Sequence, residues 1–517
     1  MKQVLAFLII LLIMCANPGC AGVENSQSLP NTTVDQSVPD LEVWCANIGF
    51  LEVKKGGPTY QFYKDLTGIG LWQPYVEWND GVTYKEQLNL RISAGEAPDA
   101  FLTINGMETE LVKNGALLDL TDLLPEKAPH LWNLIPQEVW DIVRSYDPSG
   151  EGRIYMVPQI RNYTLTGGMI RQDWLDKLGL SMPTNQAEFH DVMLAFKERD
   201  PNGNGIADEI PISGRAEAKY LDILFSMYGV SLTGNVPLWD IYDGELTYAG
   251  VTQNMRDALE YVSGLYSEGL IDPECLLNDL DAWKEKLASD LCGTYYHWVQ
   301  ASHEYALDTC NTTGAQPDWV VMPPISAPGY EGFYPIKKVQ TAFLVASATA
   351  DQDKIDLVMK FLDAFGNTDL WDAYQFGVEG MHHDVVDGKK VLRPNDYATQ
   401  ENRIIRAYED VTTIEEVEKF LNGIKSDETA WAIDQSIKNL KENQKHGKSV
   451  AGDGLPNGVY DGYPDILNRT HFVEYASKII TGEYPIEKFD EFVERWHTSG
   501  GDEVTKAARQ WFALMEK

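Results

Sequence analysis

From Leu41 onward, short apolar runs of strand character alternate with segments of helical spacing, and that alternation most narrows what the chain can fold into. Leu41-Glu42-Val43-Trp44-Cys45-Ala46 reads as a strand ending near Asn47 and Gly49, and Tyr60 to Gly68 as a helix closed by its glycine. The unit recurs. Tyr84 to Ile92 has apolar residues three and four apart, Gly95 and Pro98 stop it, and Asp99 to Ile104 is a buried strand. The pattern predicts an α/β fold with helices covering a largely parallel sheet, whose ligands bind beyond the C-terminal strand ends.

A second block opens at Gly167-Gly168-Met169-Ile170-Arg171. It continues with a helix from Asp173 to Leu178, ended by Gly179, and another from Asn185 to Arg199, where Asn185 and Glu188 have capping-box spacing. Helices are expected at 254–268, 280–290 and about 351–365, and strands over Leu291 to Val299 and Thr341 to Ser347. The stretch from Glu401 to Lys517 is mainly helical and heavily charged, broken by the turn-rich Gly452 to Gly458. A chain of 517 residues is too long for one core. Strand signals at both ends of a long middle block place the chain in two lobes, crossing between them more than once.

The first residues are an address. Lys2 gives a positive start, Val4 to Met14 is an unbroken apolar run, and Ala16-Asn17-Pro18-Gly19-Cys20 follows with small residues and a breaker. Such a run rises only about 16 Å as a helix, against a hydrocarbon core of roughly 30 Å, so it is a secretory signal and not a span. Residues 21–40, rich in Ser, Asn, Thr, Gln and Pro, form a tether outside the fold. The chain is acidic, with 78 Asp+Glu against 42 Lys+Arg and a net charge of −36, and lacks a Lys/Arg-rich run, which argues against sequence-independent binding to nucleic acid.

The sharpest local motif is Asp200-Pro201-Asn202-Gly203-Asn204-Gly205-Ile206-Ala207-Asp208-Glu209. Oxygen-bearing side chains at alternate positions, a glycine at the sixth, a carbonyl at Ile206 and a carboxylate at Asp208 match a calcium loop. The twelfth position is Pro211 where a bidentate Glu is usual, so Asp208 and Glu209 must close the site. The ion would be structural, since a shell filled by protein leaves no position for substrate. Magnesium suits the loop less well, because it demands stricter octahedral geometry.

Catalytic machinery is not legible: no nucleophile elbow, Walker loop or H-E-x-x-H occurs in a supporting context. Adjacent His382 and His383 read as loop or rim residues, since neighbouring imidazoles point apart. Cys45, Cys275, Cys292 and Cys310 show no metal-type spacing and read as small buried hydrophobes, with a bridge among the last three as the alternative. Trp72, Trp78, Trp239, Trp283, Trp298 and Trp319 lie near Gly, Pro, Asn or Asp, where an indole at a cleft rim stacks on a sugar face; Trp298 stands out because it follows the strand-like Gly293 to His297.

Three stretches, Tyr84 to Leu90, Gly115 to Leu120 and Ile170 to Leu180, resemble the extracellular solute-binding proteins of bacterial ABC importers. The branch is the long lipoprotein one that includes alginate-oligosaccharide-binding proteins. Asp200 to Ile212 resembles its calcium loop, and Ile479 to Glu483, Trp496 and Gly500 to Glu503 resemble its C-terminal signature. The resemblance runs from about 41 to 513 and implies a two-lobed periplasmic-binding-protein-like fold of type II, with a hinge and a helical C-terminal extension. It implies residues 1–20 as lipoprotein signal, 21–40 as tether, 41–165 and 336–400 as one lobe, 166–335 as the other, and 401–517 packing on both. It further implies lipid on Cys20, although Asn17 and Pro18 depart from the usual residues before that cysteine. Calcium would be held by Asp200, Asn202, Asn204, Ile206, Asp208 and Glu209. The implied function is capture of an oligosaccharide between the lobes by a monomer on the extracellular face of the membrane, and delivery to ABC permease subunits, with no catalysis. Contact candidates are Trp298, Trp239, Trp283, Arg171, Glu379 and Gln340, with Arg171 and Asp173 alternatively bracing the lobe. The rival readings are a secreted carbohydrate-active enzyme and a receptor for peptides or other non-sugar solutes.

Overall fold

A computed structural model describes residues 39–44, 52–77, 81–104, 106–160, 163–232, 237–336, 339–380, 382–386, 388–393 and 413–516. Two sheets organise them. The first has the strand order Gly70–Trp72, Asp40–Trp44, Ala100–Thr103, Val339–Ala346, Met156–Ile160. The second has the order Trp319–Val321, Thr166–Arg171, Cys292–Trp298, Ile210–Ile212.

Neither sheet is largely parallel, which corrects the expectation from the alternating pattern. Asp40–Trp44 pairs in parallel with Gly70–Trp72 and Ala100–Thr103, but Val339–Ala346 runs antiparallel to both of its neighbours. In the second sheet only Ile210–Ile212 and Cys292–Trp298 are parallel. The reason is the crossing path. The chain leaves the first sheet through Met156–Ile160, enters the second through Thr166–Arg171, and returns through Tyr334–Ile336 into Val339–Ala346. A strand that re-enters from the opposite sheet runs against those already laid down.

Alternating side chains of the second sheet face two different cores. Ile170 and Tyr296 join a large cluster with Trp174, Phe196, Leu259, Phe472 and Trp496, whereas Met169 and Tyr295 join Trp283, Tyr305 and Trp319 on the other face. The first sheet is buried among Leu41, Leu71, Phe101, Leu344, Met359 and Phe361. Each such fully buried aliphatic or phenyl side chain contributes roughly 1.5–3 kcal/mol relative to exposure.

Local signals place the helices. Those expected at 185–199, 254–268 and 280–290 are Gln186–Glu198, Gln253–Ser267 and Leu280–Ala288. The Asn185 side chain accepts the Glu188 N–H at 3.0 Å, as the capping-box spacing predicted. Glu188 reaches one residue further back than that motif requires, accepting from the Thr184 N–H at 2.9 Å and its hydroxyl at 2.7 Å. Gln172–Leu178 ends at Gly179, whose φ of 68° a β-carbon would disfavour.

The C-terminal segment touches helices that flank both sheets. Ser263 Oγ donates to the Ile479 carbonyl at 2.8 Å, and Trp511 Nε1 donates to Ser145 Oγ at 2.8 Å. Lys113 pairs with Asp461.

Two smaller expectations change. Cys275, Cys292 and Cys310 are free thiols, so the alternative of a bridge among them is not realised; Cys45 lies outside the described residues. Burial pushes the Cys275 and Cys292 thiols up to about 12, the behaviour of inert core residues. His382 and His383 are buried rather than on a rim, because each is drawn into backbone hydrogen bonding: His382 Nδ1 accepts the Val378 N–H and His383 Nδ1 donates to the Phe376 carbonyl.

Candidate functional site

A small cleft lies where the two halves meet. Tyr146, Val339 and Phe343 come from the elements around the first sheet, and Leu238 and Trp239 from those around the second. The remaining wall is the turn-rich segment 450–460, contributing Asp453, Asn457 and Tyr460. Phe343 and Tyr146 meet edge to face at 5.3 Å, and Trp239 Nε1 donates to the Tyr460 hydroxyl at 2.7 Å. Burial, with Asp453 and Glu108 adding to it, pushes the Tyr146 phenol well above its ordinary range. It stays protonated, as a hydrogen-bond donor must.

Glycine lets the wall close. A β-carbon on Gly452 would stand 2.4 Å from the Trp239 β-carbon, and the Gly452 N–H donates to the Trp239 carbonyl at 3.0 Å. The segment is tied across the halves as well: Asn457 Nδ2 donates to Glu108 Oε1 at 2.7 Å. An apolar, aromatic-walled space with a few carboxylate, amide and hydroxyl groups is the usual chemistry of a small-ligand site.

The acidic loop lies beside the second sheet, with the chain curled by positive φ at Asp200 (44°), Gly203 (80°) and Gly205 (85°). Asp200 Oδ1 and Oδ2 accept from the N–H groups of Gly203 and Gly205 at 2.9 and 3.0 Å. Asn202 and Asn204 Oδ1 accept from Asn204 N–H at 2.9 Å and Ile206 N–H at 2.7 Å. Asn204 Nδ2 donates to Asp208 Oδ1 at 3.1 Å. Among the described residues no group of three or more His, Cys, Asp or Glu converges as metal ligands do. The donor set nevertheless fits a hard cation: Glu209 is 7% exposed, its Oε2 is buried without a partner, and burial reinforced by Asp200 and Asp208 raises its carboxyl.

The sugar-contact candidates are scattered. Trp239 lines the cavity, as does Val339, the neighbour of Gln340, whose own side chain lies outside the described residues. Trp298 is half-buried at the end of its strand, stacked on His297 at 5.3 Å. Trp283 is 0% exposed, edge-on to Tyr295 and Tyr305, and Trp319 is buried beside them. Glu379 is exposed at an isolated bridge to His383. Arg171 is 2% exposed: Nε and Nη2 donate to Asp173 at 2.8 and 2.6 Å, Nη1 to Asp290, and Trp174 lies 4.5 Å from the guanidinium. All three of its guanidinium nitrogens donate to carboxylates, which braces the lobe. Trp78 and Cys20 lie outside the described residues.

Tyr146, Phe343, Asp453 and Asn457 were not singled out from sequence. The one available signal was the Asp and Asn interleaved with glycines in 452–458.

Comparison with known proteins places the chain. The family model for bacterial extracellular solute-binding proteins matches residues 61–370, more than half of the chain. The fructooligosaccharide ABC transporter substrate-binding protein FusA of Streptococcus pneumoniae serotype 4 is 28% identical over 278 residues, covering 49% of this chain and 48% of FusA, so this match spans about half of either protein. The polygalacturonan/rhamnogalacturonan-binding protein YtcQ of Bacillus subtilis is 20% identical over 529 residues, 99% of this chain and 98% of YtcQ. In structure, the alginate-binding protein AlgQ2, solved without calcium ion, superposes with a TM-score of 0.68 at 20% identity over 93% of this chain and 99% of AlgQ2, a likeness of fold. Two sheet-based lobes, crossing strands between them and a helical C-terminal region agree with that match, and the chain belongs to the bacterial extracellular solute-binding proteins.

Proposed function

We propose that this chain is the substrate-binding component of an ABC transporter, holding an oligosaccharide between its lobes and delivering it unaltered to permease subunits. The observation that carries the reading is the cavity, whose aromatic walls, Tyr146 and Phe343 on one side and Trp239 on the other, come from both halves. A ligand that touches both halves favours the closed arrangement by its difference in affinity for the two states. Residues 41–165 and 336–400 form one moving body and 166–335 the other, with 401–517 packed on both. FusA, YtcQ and AlgQ2 are named for three different glycans, which supports the class of ligand and not a single sugar. Incubation with glycan fragments tests the reading: the expected result is saturable binding with the fragment recovered intact, and new reducing ends or unsaturated products would contradict it.

The chain acts as a monomer at the extracellular face of the membrane, tethered by lipid on Cys20. Asp200, Asn202, Asn204, the Ile206 carbonyl, Asp208 and Glu209 hold a structural calcium ion; AlgQ2 solved without calcium ion and the orphaned Glu209 Oε2 support this. When bound, the doubly charged ion would offset most of the negative charge of Asp200, Asp208 and Glu209. At free calcium about 100 times its Kd, the ion would stabilise the fold by about 2.7 kcal/mol. Chelator is therefore expected to lower the melting temperature, and added calcium to restore it. An unchanged melting curve, with no calcium found by elemental analysis, would reject the metal.

A further inference from the structure

A second cleft lies at Trp319–Val321, the edge strand of the second sheet. Its walls come from three elements: Ser302 from the helix Ser302–Thr313, Gln316, Asp318 and Trp319 from the approach to the strand, and Trp431 and Gln435 from the helix Ala430–Asn443. None of its residues lines the cleft between the lobes. Trp319 pairs with Arg171, at the opposite end of that strand from Thr166, where the chain enters the second sheet. This part of the cleft therefore stands away from the crossing. The walls are held in place by hydrogen bonds between elements. Asn439 Nδ2 donates to the Trp319 carbonyl at 2.6 Å and Ser436 Oγ to the Gln300 carbonyl at 2.7 Å, which fixes the helix Ala430–Asn443 against both of its neighbours.

Polar groups in this cleft are short of partners. Ser302 is 3% exposed and Trp319 is 1% exposed, and Ser302 Oγ and Trp319 Nε1 are both buried without a hydrogen bond. Such atoms cost stability until something completes them. Asp318 is half-buried, and among the described residues its carboxylate joins no ion pair. Burial, with Asp173 and Asp176 adding to it, raises this carboxyl, while Lys438 and Arg171 oppose the rise from beyond ion-pair distance. Trp431 and Gln435 are half-buried, so both present surface to a ligand.

These groups select the ligand by what each can do. An indole N–H only donates, a carboxylate only accepts, and a serine hydroxyl does both. An ammonium ligand would satisfy Asp318 and leave Trp319 Nε1 bare; an anion would meet Asp318 with Asp173 and Asp176 behind it. A hydroxyl group donates to the one and accepts from the other. Several hydroxyls on a ring with an apolar face make a sugar, and the Trp431 indole is a flat surface on which such a face stacks.

We propose that this cleft is a second saccharide-binding site, which takes one sugar ring stacked on Trp431 with its hydroxyl groups shared among Asp318, Ser302, Trp319 Nε1 and the amides of Gln316 and Gln435. The site goes beyond the interlobe reading and does not depend on it. Because the two clefts share no residue, a sugar held here leaves the interlobe cleft free.

The test is fluorine NMR of the full mature chain labelled with fluorotryptophan, with the Trp431 and Trp239 signals identified from the variants Trp431→Phe and Trp239→Phe. Methyl β-glucoside, methyl β-galactoside, methyl α-mannoside and, as the cationic control, ethylenediamine are titrated in turn. At least one glycoside is expected to shift the Trp431 signal with a millimolar midpoint, the affinity of a single ring held by stacking and a few hydrogen bonds. Asp318→Asn is expected to raise that midpoint about tenfold, since a hydrogen bond to a charged acceptor is lost. The titration of the unaltered protein carries the test if this variant folds poorly. A Trp431 signal that no glycoside moves, or that ethylenediamine moves at the same concentrations, overturns the second site. A response at Trp239 alone removes this site and leaves the oligosaccharide reading standing.

Discussion

In chemical denaturation, Arg171→Met is expected to lose about 3–5 kcal/mol of unfolding free energy, because it leaves a buried carboxylate without its partner. Asp290 is itself 9% exposed, and burial already raises its carboxyl against the opposing pull of Arg171. Removing the guanidinium lets burial act unopposed. A carboxyl raised in the folded state destabilises that state once ionised, so the deficit should shrink as pH falls and Asp290 takes up a proton. The double variant Arg171→Met with Asp290→Asn should recover part of the loss at neutral pH. A change below about 1 kcal/mol, combined with a large fall in glycan affinity, would instead make Arg171 a ligand contact and contradict the bracing role its three hydrogen-bonded nitrogens indicate.

Trp239→Ala is expected to have an effect of similar size, about 3–5 kcal/mol, for a different reason. The indole is 1% exposed, packs against Tyr248 with ring centroids 6.0 Å apart, and satisfies the buried Tyr460 hydroxyl. Its loss opens a hole behind Gly452 and frees the segment 450–460 that walls the cavity. Glycan affinity should fall with stability. Trp239→Phe keeps the packing and removes the donor, so it should cost only about 1 kcal/mol. Equal losses in the two variants, read from melting curves, would mean that the hydrogen bond and not the ring holds the wall.

The parts of this fold that were legible from sequence are those decided by neighbouring residues. Gly179 closing a helix, Asn185 opening one, and the calcium-type spacing of 200–209 are all local, because a cap or a curled loop is set within a few positions. Sheet direction was misread because it depends on where the chain crosses between lobes, which period and composition do not encode. The cavity was missed for a related reason: Tyr146, Trp239, Phe343 and Asn457 are brought together from four distant stretches. Trp283 and Trp319 looked like rim aromatics from their polar neighbours, yet tertiary packing puts both in the core with Tyr295.

The central claim is that two lobes close on a glycan that leaves chemically unchanged. Small-angle scattering of the mature chain, alone and saturated with a glycan shown to bind tightly, tests it most directly. The account predicts a smaller radius of gyration in the complex, with the glycan recovered intact from the same sample. A profile identical with and without the bound glycan would contradict it.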